Sequence, residues 1–227
     1  MEQKKPTASQ VDEDLLMKNE MEKMVDTYDA YMRRITLGRE KVLRTMTVNL
    51  AQVKPGDSVL EVGCGTGTLT LEARRQAGPS GKVFGIDIIP GMIEVSRRKA
   101  AQAALDVTFQ SGSIDNIPFP ADQFDVVLCS FMIFHMSEKI RLKGISEIQR
   151  VLKPGGKLLV LDLALPTQPL QRAIAKTFFG WMLQTEMKDL LPPMEAAGFS
   201  DIEIAPAKFR VMGLQILAYV RGTAQKS

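Results

Sequence analysis

The residues best suited to chemistry in this chain are an acid and three glycines that follow a short apolar run. The run ends at Glu61-Val62, and the glycines stand at positions 63, 65 and 67. Glycines directly after a buried strand let the backbone turn tightly and approach a ligand where a Cβ would collide. The helix expected next would point its N–H groups at that ligand. The stretch therefore indicates a cradle for a nucleotide-containing cofactor.

The spacing of these glycines distinguishes between cofactors. A dinucleotide-binding turn has the pattern G-x-G-x-x-G, and its last glycine seats the helix against the strand. Counted from Gly63, that last position holds Thr68. The sequence therefore disfavours a nicotinamide-dependent oxidoreductase, and no second catalytic domain is expected that would support one.

A second acid stands near the end of the next apolar run, residues 82–88. Asp87 lies 20 residues beyond Gly67 (87 − 67), where a carboxylate commonly accepts hydrogen bonds from ribose hydroxyls. The alternative is that Asp87 caps the helix expected to begin near Pro90. In combination with the glycine turn, the spacing favours the ribose interpretation.

Three further motifs follow in order: GSIDNIPF at 112–119, FDVVLCSF at 124–131 and VLKPGGKL at 151–158. Together with the G-x-G-x-G turn they resemble the class I S-adenosylmethionine-dependent methyltransferases. The similarity is to the group that includes the ubiquinone/menaquinone C-methyltransferases and phospholipid N-methyltransferases. It spans roughly residues 40–165 and is weaker at residues 194–199. The resemblance implies S-adenosylmethionine as cofactor and S-adenosylhomocysteine as product.

The resemblance also implies roles for individual residues. Glu61 would attract the ammonium of the methionine part, directly or through water, and Asp87 would hold the ribose. Ser113 stands where the family usually has an aspartate that accepts a hydrogen bond from the adenine amino group. A serine hydroxyl is shorter and uncharged, so this contact would be weaker or water-bridged. Asp115 is an alternative acceptor, although its place in a turn favours a solvent-facing position. The other implied cofactor contacts are Gly63, Cys64, Gly65, Gly67, Ile88, Met92, Ile114, Cys129 and Ser130.

Two of these contacts have an ordinary structural alternative. Ile88 and Met92 would pack on the adenine, but their periodicity alone favours the protein core. Ile114 would contribute a backbone N–H facing the ring. Cys129 and Ser130 would lie at the cofactor edge of the sheet.

The candidate catalytic residue is His135, the single histidine, just beyond the fourth predicted strand. Methyl transfer from a sulfonium is an in-line displacement with a good leaving group, so the enzyme chiefly aligns its reactants. A base is needed only if the acceptor must lose a proton, and a structural hydrogen-bonding role is the alternative for His135. We expect a small, apolar, quinone-like or lipid-like acceptor. The alternatives are a phospholipid amine, a protein side chain, or a non-catalytic partner subunit that keeps the fold.

Strand-like and helix-like segments alternate along the chain, which predicts a mostly parallel sheet with helices on both faces. The strands are expected near residues 58–63, 82–88, 107–111, 124–130, 157–164, 201–207 and 212–221. The last two are joined by a connection too short for a parallel crossover, so that pair should be antiparallel. The family resemblance implies an α/β, Rossmann-like, seven-stranded sheet with the order 3-2-1-4-5-7-6.

We expect a flexible tail at residues 1–10 and one methyltransferase domain at residues 11–227. Within it, residues 11–50 form an N-terminal helical cap, 51–165 the cofactor-binding core, and 166–227 substrate-side helices and terminal strands. Apolar residues recur at helical spacing at positions 170, 174, 178 and 181. They indicate a helix packed on the core or, alternatively, a lid over an apolar acceptor that touches a membrane surface.

Composition excludes several other classes. The net charge is +3, and the basic residues are scattered, which argues against a nucleic-acid substrate. No apolar stretch is long enough for a membrane span and the start lacks the pattern of a signal peptide, so a cytoplasmic location is expected. Two cysteines and one histidine lack paired metal-ligand spacing, so we expect reduced thiols and no metal. The oligomeric state is not predicted.

Overall fold

A single seven-stranded sheet organises the protein. The computed structural model describes residues 18–166, 168–179 and 186–226 of the chain. The strand order is β3-β2-β1-β4-β5-β7-β6, which confirms the predicted order. The strands are β1 (Ser58–Val62), β2 (Lys82–Asp87), β3 (Thr108–Ser111), β4 (Phe124–Ser130), β5 (Leu152–Leu163), β6 (Phe199–Pro206) and β7 (Leu217–Ala224).

The first five strands are parallel, and β7 is antiparallel to both of its neighbours, β5 and β6. β1 lies between β2 and β4, and its residues 59–62 are buried. A parallel strand covered on both faces needs such a continuous apolar run, and Glu61 is its single charged member. The acid therefore enters the core because of its position on the central strand.

Helices cover both faces of the sheet. They are α1 (Tyr28–Ile35), α2 (Glu40–Leu50), α3 (Thr68–Ala77), α4 (Pro90–Gln102), α5 (Glu138–Val151), α6 (Pro169–Phe179) and α7 (Leu191–Ala196). A further helical segment occupies residues 18–24, and short 3₁₀ helices lie at Ile133–His135 and Met187–Leu190. One apolar cluster joins α2 and α3 to the sheet, and a second joins α5 and α7 to the opposite face. No helix in the described ranges is long and apolar enough to cross a membrane.

Two predicted strand starts were wrong. β7 begins at Leu217 rather than at residue 212, because a tight turn with a bridge between Val211 and Leu214 precedes it. β5 begins at Leu152, which pairs with Phe124 before a register shift, rather than at residue 157. The end of β7 lies at Ala224, three residues beyond the predicted 221, and the other strand boundaries agree to within about two residues, the usual spread of such assignments.

The carboxyl edge of the parallel strands gathers the connections that matter for function. Leu163, the last residue of β5, pairs with Leu217, the first of β7. The connection at residues 207–216 therefore lies at the same edge as the carboxyl ends of β1, β2 and β4. Ligands of open α/β sheets bind at this edge, near the point where the strand order reverses.

Two predicted features of the C-terminal part fall partly outside the described residues. α6 confirms a helix after β5, but Trp181 and the side chains at positions 170, 174 and 178 lie outside the description. The choice between a packed helix and a lid therefore stays a prediction, as does the division of the chain into a tail, a cap and a core.

Candidate cofactor-binding and active site

The glycine turn lies at the carboxyl end of β1, and all three glycines have a positive φ: 69° at Gly63, 51° at Gly65 and 80° at Gly67. A Cβ at Gly67 would lie 2.8 Å from Ser96 Cβ, so this glycine seats α3 against α4. Within the described part of the chain, a Cβ at Gly65 would meet only Tyr28 Cε1, at 3.8 Å. The backbone at Gly65 therefore has room for a ligand to approach, as a cofactor cradle requires.

Glu61 is buried directly before this turn, with 3% of its surface exposed. The Thr70 hydroxyl of α3 donates a hydrogen bond to its Oε2. Burial raises the pKa of Glu61 to about 8, although the Thr70 hydrogen bond and the positive charge of Arg44 oppose the shift. Among the described residues no cation forms a salt bridge with Glu61. The site thus holds a carboxyl group that a positively charged ligand would ionise.

Asp87, at the end of β2, holds the turn from the other side. Its Oδ2 accepts the Gly65 N–H at 2.8 Å and its Oδ1 accepts the Ile89 N–H at 2.9 Å. Burial raises the pKa of this carboxyl, against the effect of these backbone hydrogen bonds. Asp87 therefore lies beside the glycine turn; it does not cap α4, because its second hydrogen bond goes to Ile89, the residue before that helix. A carboxylate has about four lone-pair sites, so Asp87 can accept from a ligand hydroxyl besides the backbone amides of Gly65, Ile88 and Ile89.

The N-terminal helices are fastened to the glycine turn by carboxylates. The Thr66 hydroxyl donates to Asp29 Oδ1 at 2.7 Å, and Asp29 Oδ2 pairs with Lys99 Nζ at 2.5 Å. The hydrogen bond to Lys99 and that to Thr66 together lower the pKa of Asp29 against its partial burial. Tyr28, the neighbour of Asp29, is the residue that overlies Gly65. α1 therefore closes one side of the candidate cofactor site.

α2 contributes a buried arginine that the sequence analysis did not identify. Arg44 is 6% exposed, and its Nη2 pairs with Glu40 Oε1 at 3.1 Å. Glu40 Oε1 also accepts the Thr68 hydroxyl at 3.1 Å, which ties α2 to α3. The Nε of Arg44 is buried without a hydrogen-bond partner in the part of the chain that the structure describes. A helical arginine is common on a solvated face, so the sequence contained no signal for its burial.

The residues predicted on the adenine side lie beside β2 and after β3. Ile88 is 49% exposed next to Asp87, as a platform for a ring would be, whereas Met92 is 1% exposed. The Ser113 hydroxyl donates to Asp115 Oδ1 at 2.5 Å. This hydrogen bond, with Lys143 nearby, lowers the pKa of Asp115 against partial burial. Ser113 and Asp115 thus form one polar pair with a charged carboxylate.

The Ile114 side chain is buried and packs against Gly144. A Cβ added at Gly144 would lie 2.6 Å from Ile114 Cγ1. Its side chain is therefore part of the core, and only its backbone is left for the predicted contact. Cys64 and Cys129 are free and buried. Burial raises the pKa of both thiols, and Glu61 raises both further. Neither cysteine is therefore a thiolate near neutral pH.

On the far side of β4 from β1, a second buried acid stands near the carboxyl end of β5. Asp162 is 2% exposed; its Oδ1 accepts the Leu163 N–H at 2.8 Å, and its Oδ2 has no hydrogen-bond partner among the described residues. Burial raises the pKa of Asp162 to about 7, against the backbone amides of Leu163, Phe134 and Met132. Ser130 Oγ, at the end of β4, is also buried and unpartnered in this part of the structure. The sequence analysis did not assign Asp162 a role.

The loop after β4 connects Asp162 to the glycine turn. Met132 packs against Gly63, where a Cβ would lie 2.9 Å from Met132 Cε, and the backbone of Met132 faces Asp162. Burial raises the pKa of Cys129, on the intervening strand, and both Glu61 and Asp162 raise it further. His135 ends the 3₁₀ helix of this loop, and its side chain lies outside the description. Within the described ranges no three His, Cys, Asp or Glu residues could hold a metal.

Comparisons with known proteins agree with this geometry. A family model described as "Methyltransferase domain" matches residues 59–156. The demethylmenaquinone methyltransferase of Symbiobacterium thermophilum is 37% identical over 160 residues, which cover 70% of this chain and 62% of that protein. The demethylmenaquinone methyltransferase of Bacillus cytotoxicus is 29% identical over 219 residues, 86% of this chain and 92% of that one. The more identical relatives are thus matched over about six tenths of their own length.

Solved structures share the fold. A crystal structure of a SAM-dependent methyltransferase from Aquifex aeolicus aligns with a TM-score of 0.67 and 22% identity, covering 91% of this chain and 98% of that one. Phosphoethanolamine N-methyltransferase 2 of Haemonchus contortus, in complex with S-adenosyl-L-methionine, aligns with a TM-score of 0.63 and 18% identity, covering 82% and 53% of the two chains. The strand order, the glycine turn and the acids at the ends of β1 and β2 occur here together.

Residues 59–156 therefore form a methyltransferase domain, and the chain has the fold of the class I S-adenosylmethionine-dependent methyltransferases. Within that class, its sequence is similar to the ubiquinone/menaquinone C-methyltransferase group.

From the raised pKa of Glu61 we predict how the stability of the ligand-free protein depends on pH. Between the ordinary value of 4.5 and about 8, the folded protein holds a proton on Glu61 that the unfolded chain releases. The contribution of this proton to the free energy of unfolding is fully present below pH 4.5. It falls by about 1 kcal/mol per pH unit as the pH rises through this window. We expect Glu61→Gln to remove this part of the pH dependence.

Urea unfolding of wild type and Glu61→Gln at pH 6 and pH 8 measures the effect. The difference in unfolding free energy between the two proteins should change by about 2 kcal/mol, in favour of the variant at the higher pH. An equal difference at both pH values would mean that Glu61 is ionised in the folded protein throughout.

Proposed function

We propose that this chain transfers the methyl group of S-adenosylmethionine to a small, apolar, quinol-like acceptor. The choice of cofactor is supported by two buried groups near the glycine turn. Among the described residues, the Glu61 carboxyl has no salt-bridge partner and the Nε of Arg44 has no hydrogen-bond partner. The methionine part of the cofactor has one ammonium and one carboxylate, which complement these two groups. A dinucleotide has neither group, so the pairing favours S-adenosylmethionine.

In this proposal each end of the cofactor has its own partners. Glu61 takes the ammonium and Arg44 the carboxylate, while Asp87 accepts the ribose hydroxyls on its free lone pairs. Ile88 packs on the adenine, and Asp115 with Ser113 accepts from its amino group. The remaining predicted contacts at this edge of the sheet are Gly63, Cys64, Gly65, Gly67, Met92, Ile114, Cys129 and Ser130.

The acceptor is proposed to lie beyond β4, between the glycine turn and the end of β5. The loop after β4 presents four partly buried apolar side chains: Phe131, Met132, Phe134 and Met136. Such a wall favours a ring with apolar substituents over a charged acceptor. The relatives named as demethylmenaquinone methyltransferases support the quinol class.

When bound, S-adenosylmethionine supplies a methyl group on a sulfonium, whose departure needs no proton. The protein's own contribution is alignment, together with a base for the acceptor hydroxyl. Asp162 fits the base better than His135 does, because its Oδ2 has no partner among the described residues and its pKa is about 7. It would take the hydroxyl proton as the neighbouring ring carbon attacks the methyl group. The ring would then lose its own hydrogen as a proton to water, and Asp162 would return the first proton to oxygen.

Two variants separate the proposed cofactor contacts. Asp87→Ala should weaken binding of S-adenosylmethionine by roughly 1.5–3 kcal/mol, because charged hydrogen bonds are lost. It should weaken 5′-methylthioadenosine, which lacks the amino-acid part, by a similar amount. Arg44→Met should weaken the binding of S-adenosylmethionine and leave the binding of 5′-methylthioadenosine nearly unchanged. Calorimetric titration measures all four affinities.

Asp106→Asn is the matched control, since Asp106 is exposed and stands just before β3. It should bind both ligands as wild type does. Unchanged binding to a folded Asp87→Ala protein would remove the ribose assignment. An equal loss of both ligands in Arg44→Met would show that Arg44 supports the fold of the site rather than the carboxylate.

The choice of base is tested by methyl transfer to 1,4-naphthohydroquinone. Asp162→Asn keeps the oxygen that accepts from Leu163, and we expect its kcat to fall by about 100-fold or more while cofactor binding is retained. In wild type, kcat should rise with pH up to about 7 and then level off, because Asp162 must be ionised. His135→Gln should keep most of the activity. A large loss in His135→Gln together with an active Asp162→Asn would assign the base to the histidine.

A further inference from the structure

One face at the carboxyl edge combines exposed apolar side chains with positive charge. Leu37, between α1 and α2, is 66% exposed, and Met212, between β6 and β7, is 56% exposed. Six exposed basic residues accompany them in the sequence. We call these eight residues the basic rim, whose cations are Arg33, Arg34, Arg39, Lys41, Lys208 and Arg210.

A cation–π contact brings the two halves of the basic rim together. The guanidinium of Arg39 lies 5.3 Å from the ring centre of Phe209, whose own surface is buried. The connection that carries Phe209 and Met212 lies at the carboxyl edge of the sheet, because Leu163 pairs with Leu217. The basic rim is therefore a border of the candidate active site.

Both apolar residues are at the tips of turns. Leu37 has a φ of 53° and Met212 a φ of 49°, a conformation that apolar residues rarely adopt. The bridge between Val211 and Leu214 closes the turn that presents Met212. The fold thus holds two aliphatic side chains outward at tight turns, where polar residues or glycine are usual.

The charge of the basic rim is not neutralised from within. Over the described ranges, none of its six cations forms a salt bridge with a carboxylate. The acid nearest in sequence, Glu40, pairs with the buried Arg44. Clusters of four to eight basic residues beside apolar anchors are typical of proteins that bind anionic lipid.

We propose that the basic rim docks on an anionic membrane surface, with Leu37 and Met212 inserted among the lipid headgroups and the cations on the phosphates. Docking at this edge would place the mouth of the active site against the lipid, so that an apolar acceptor enters without crossing water. That consequence rests on the proposed function; the docking itself does not. Aliphatic tips favour lipid over single-stranded nucleic acid, which is bound by stacking on aromatic side chains.

Vesicle flotation of the full chain tests the proposal. Wild type should bind vesicles of phosphatidylcholine with a third phosphatidylglycerol, should bind phosphatidylcholine alone far more weakly, and should dissociate at high salt. Lys41→Gln with Lys208→Gln should weaken binding by about 25-fold, at roughly fivefold for each cation. Leu37→Asp with Met212→Asp should abolish it; aspartate tolerates the positive φ of both positions, so the fold should persist.

The matched control removes two exposed lysines near the opposite edge of the sheet, Lys54→Gln with Lys82→Gln. It should bind vesicles as wild type does. Equal loss in the control and in the rim variant, or equal binding to neutral vesicles, would overturn the proposal. So would tighter binding of a single-stranded RNA that the Leu37 and Met212 changes leave intact.

Cofactor binding, measured by calorimetry on the same proteins, keeps the two proposals apart. All three variants should bind S-adenosylmethionine with wild-type affinity. Vesicle binding by a wild-type protein that does not bind S-adenosylmethionine would overturn the proposed function and leave the docking surface. Cofactor binding without vesicle binding would overturn the docking surface and leave the proposed function.

Discussion

The burial of one carboxyl group under the glycine turn constrains the rest of the site. Glu61 lies on the central strand, with strands on both sides and helices above it, so it cannot reach water. A buried acid without a counter-ion is costly. The Thr70 hydrogen bond and the charge of Arg44 offset part of the cost. Because Arg44 comes from α2, the N-terminal helices complete the electrostatics of the core.

A second constraint follows from three hydroxyls. Thr66, Thr68 and Thr70 donate to three carboxylates that come from α1, the start of α2 and β1, namely Asp29, Glu40 and Glu61. Thr68, which stands where a dinucleotide-binding turn would have a glycine, therefore also attaches α2 to the site. The same segment shapes the cradle and attaches α1 and α2, so movement of these two helices and access to the cofactor site should be coupled.

The sequence predicts the fold well because its signals are local. A glycine turn after an apolar run, and acids at two strand ends, depend only on neighbouring residues, and the strand order then follows from the family resemblance. The predicted start of β7 was wrong because the apolar residues on both sides of Gly213 resemble one continuous strand, whereas Gly213, with a φ of 82°, forms part of a tight turn. Arg44 and Asp162 were missed because their importance depends on burial by distant segments of the chain, which their near partners Glu40 and Leu163 do not indicate. Glu40 is in turn tied to Thr68, 28 residues away.

The central claim is that Glu61 is protonated in the free protein and ionised by the ammonium of the methionine part. It is tested most directly by calorimetric titration with S-adenosylmethionine at pH 7, in two buffers that differ in ionisation enthalpy. The account predicts release of close to one proton per cofactor bound, because the pKa of free Glu61 is about 8. It also predicts that Glu61→Gln releases none. Cofactor binding by wild type with no proton release would contradict the account, because Glu61 would then be charged before the ligand arrives.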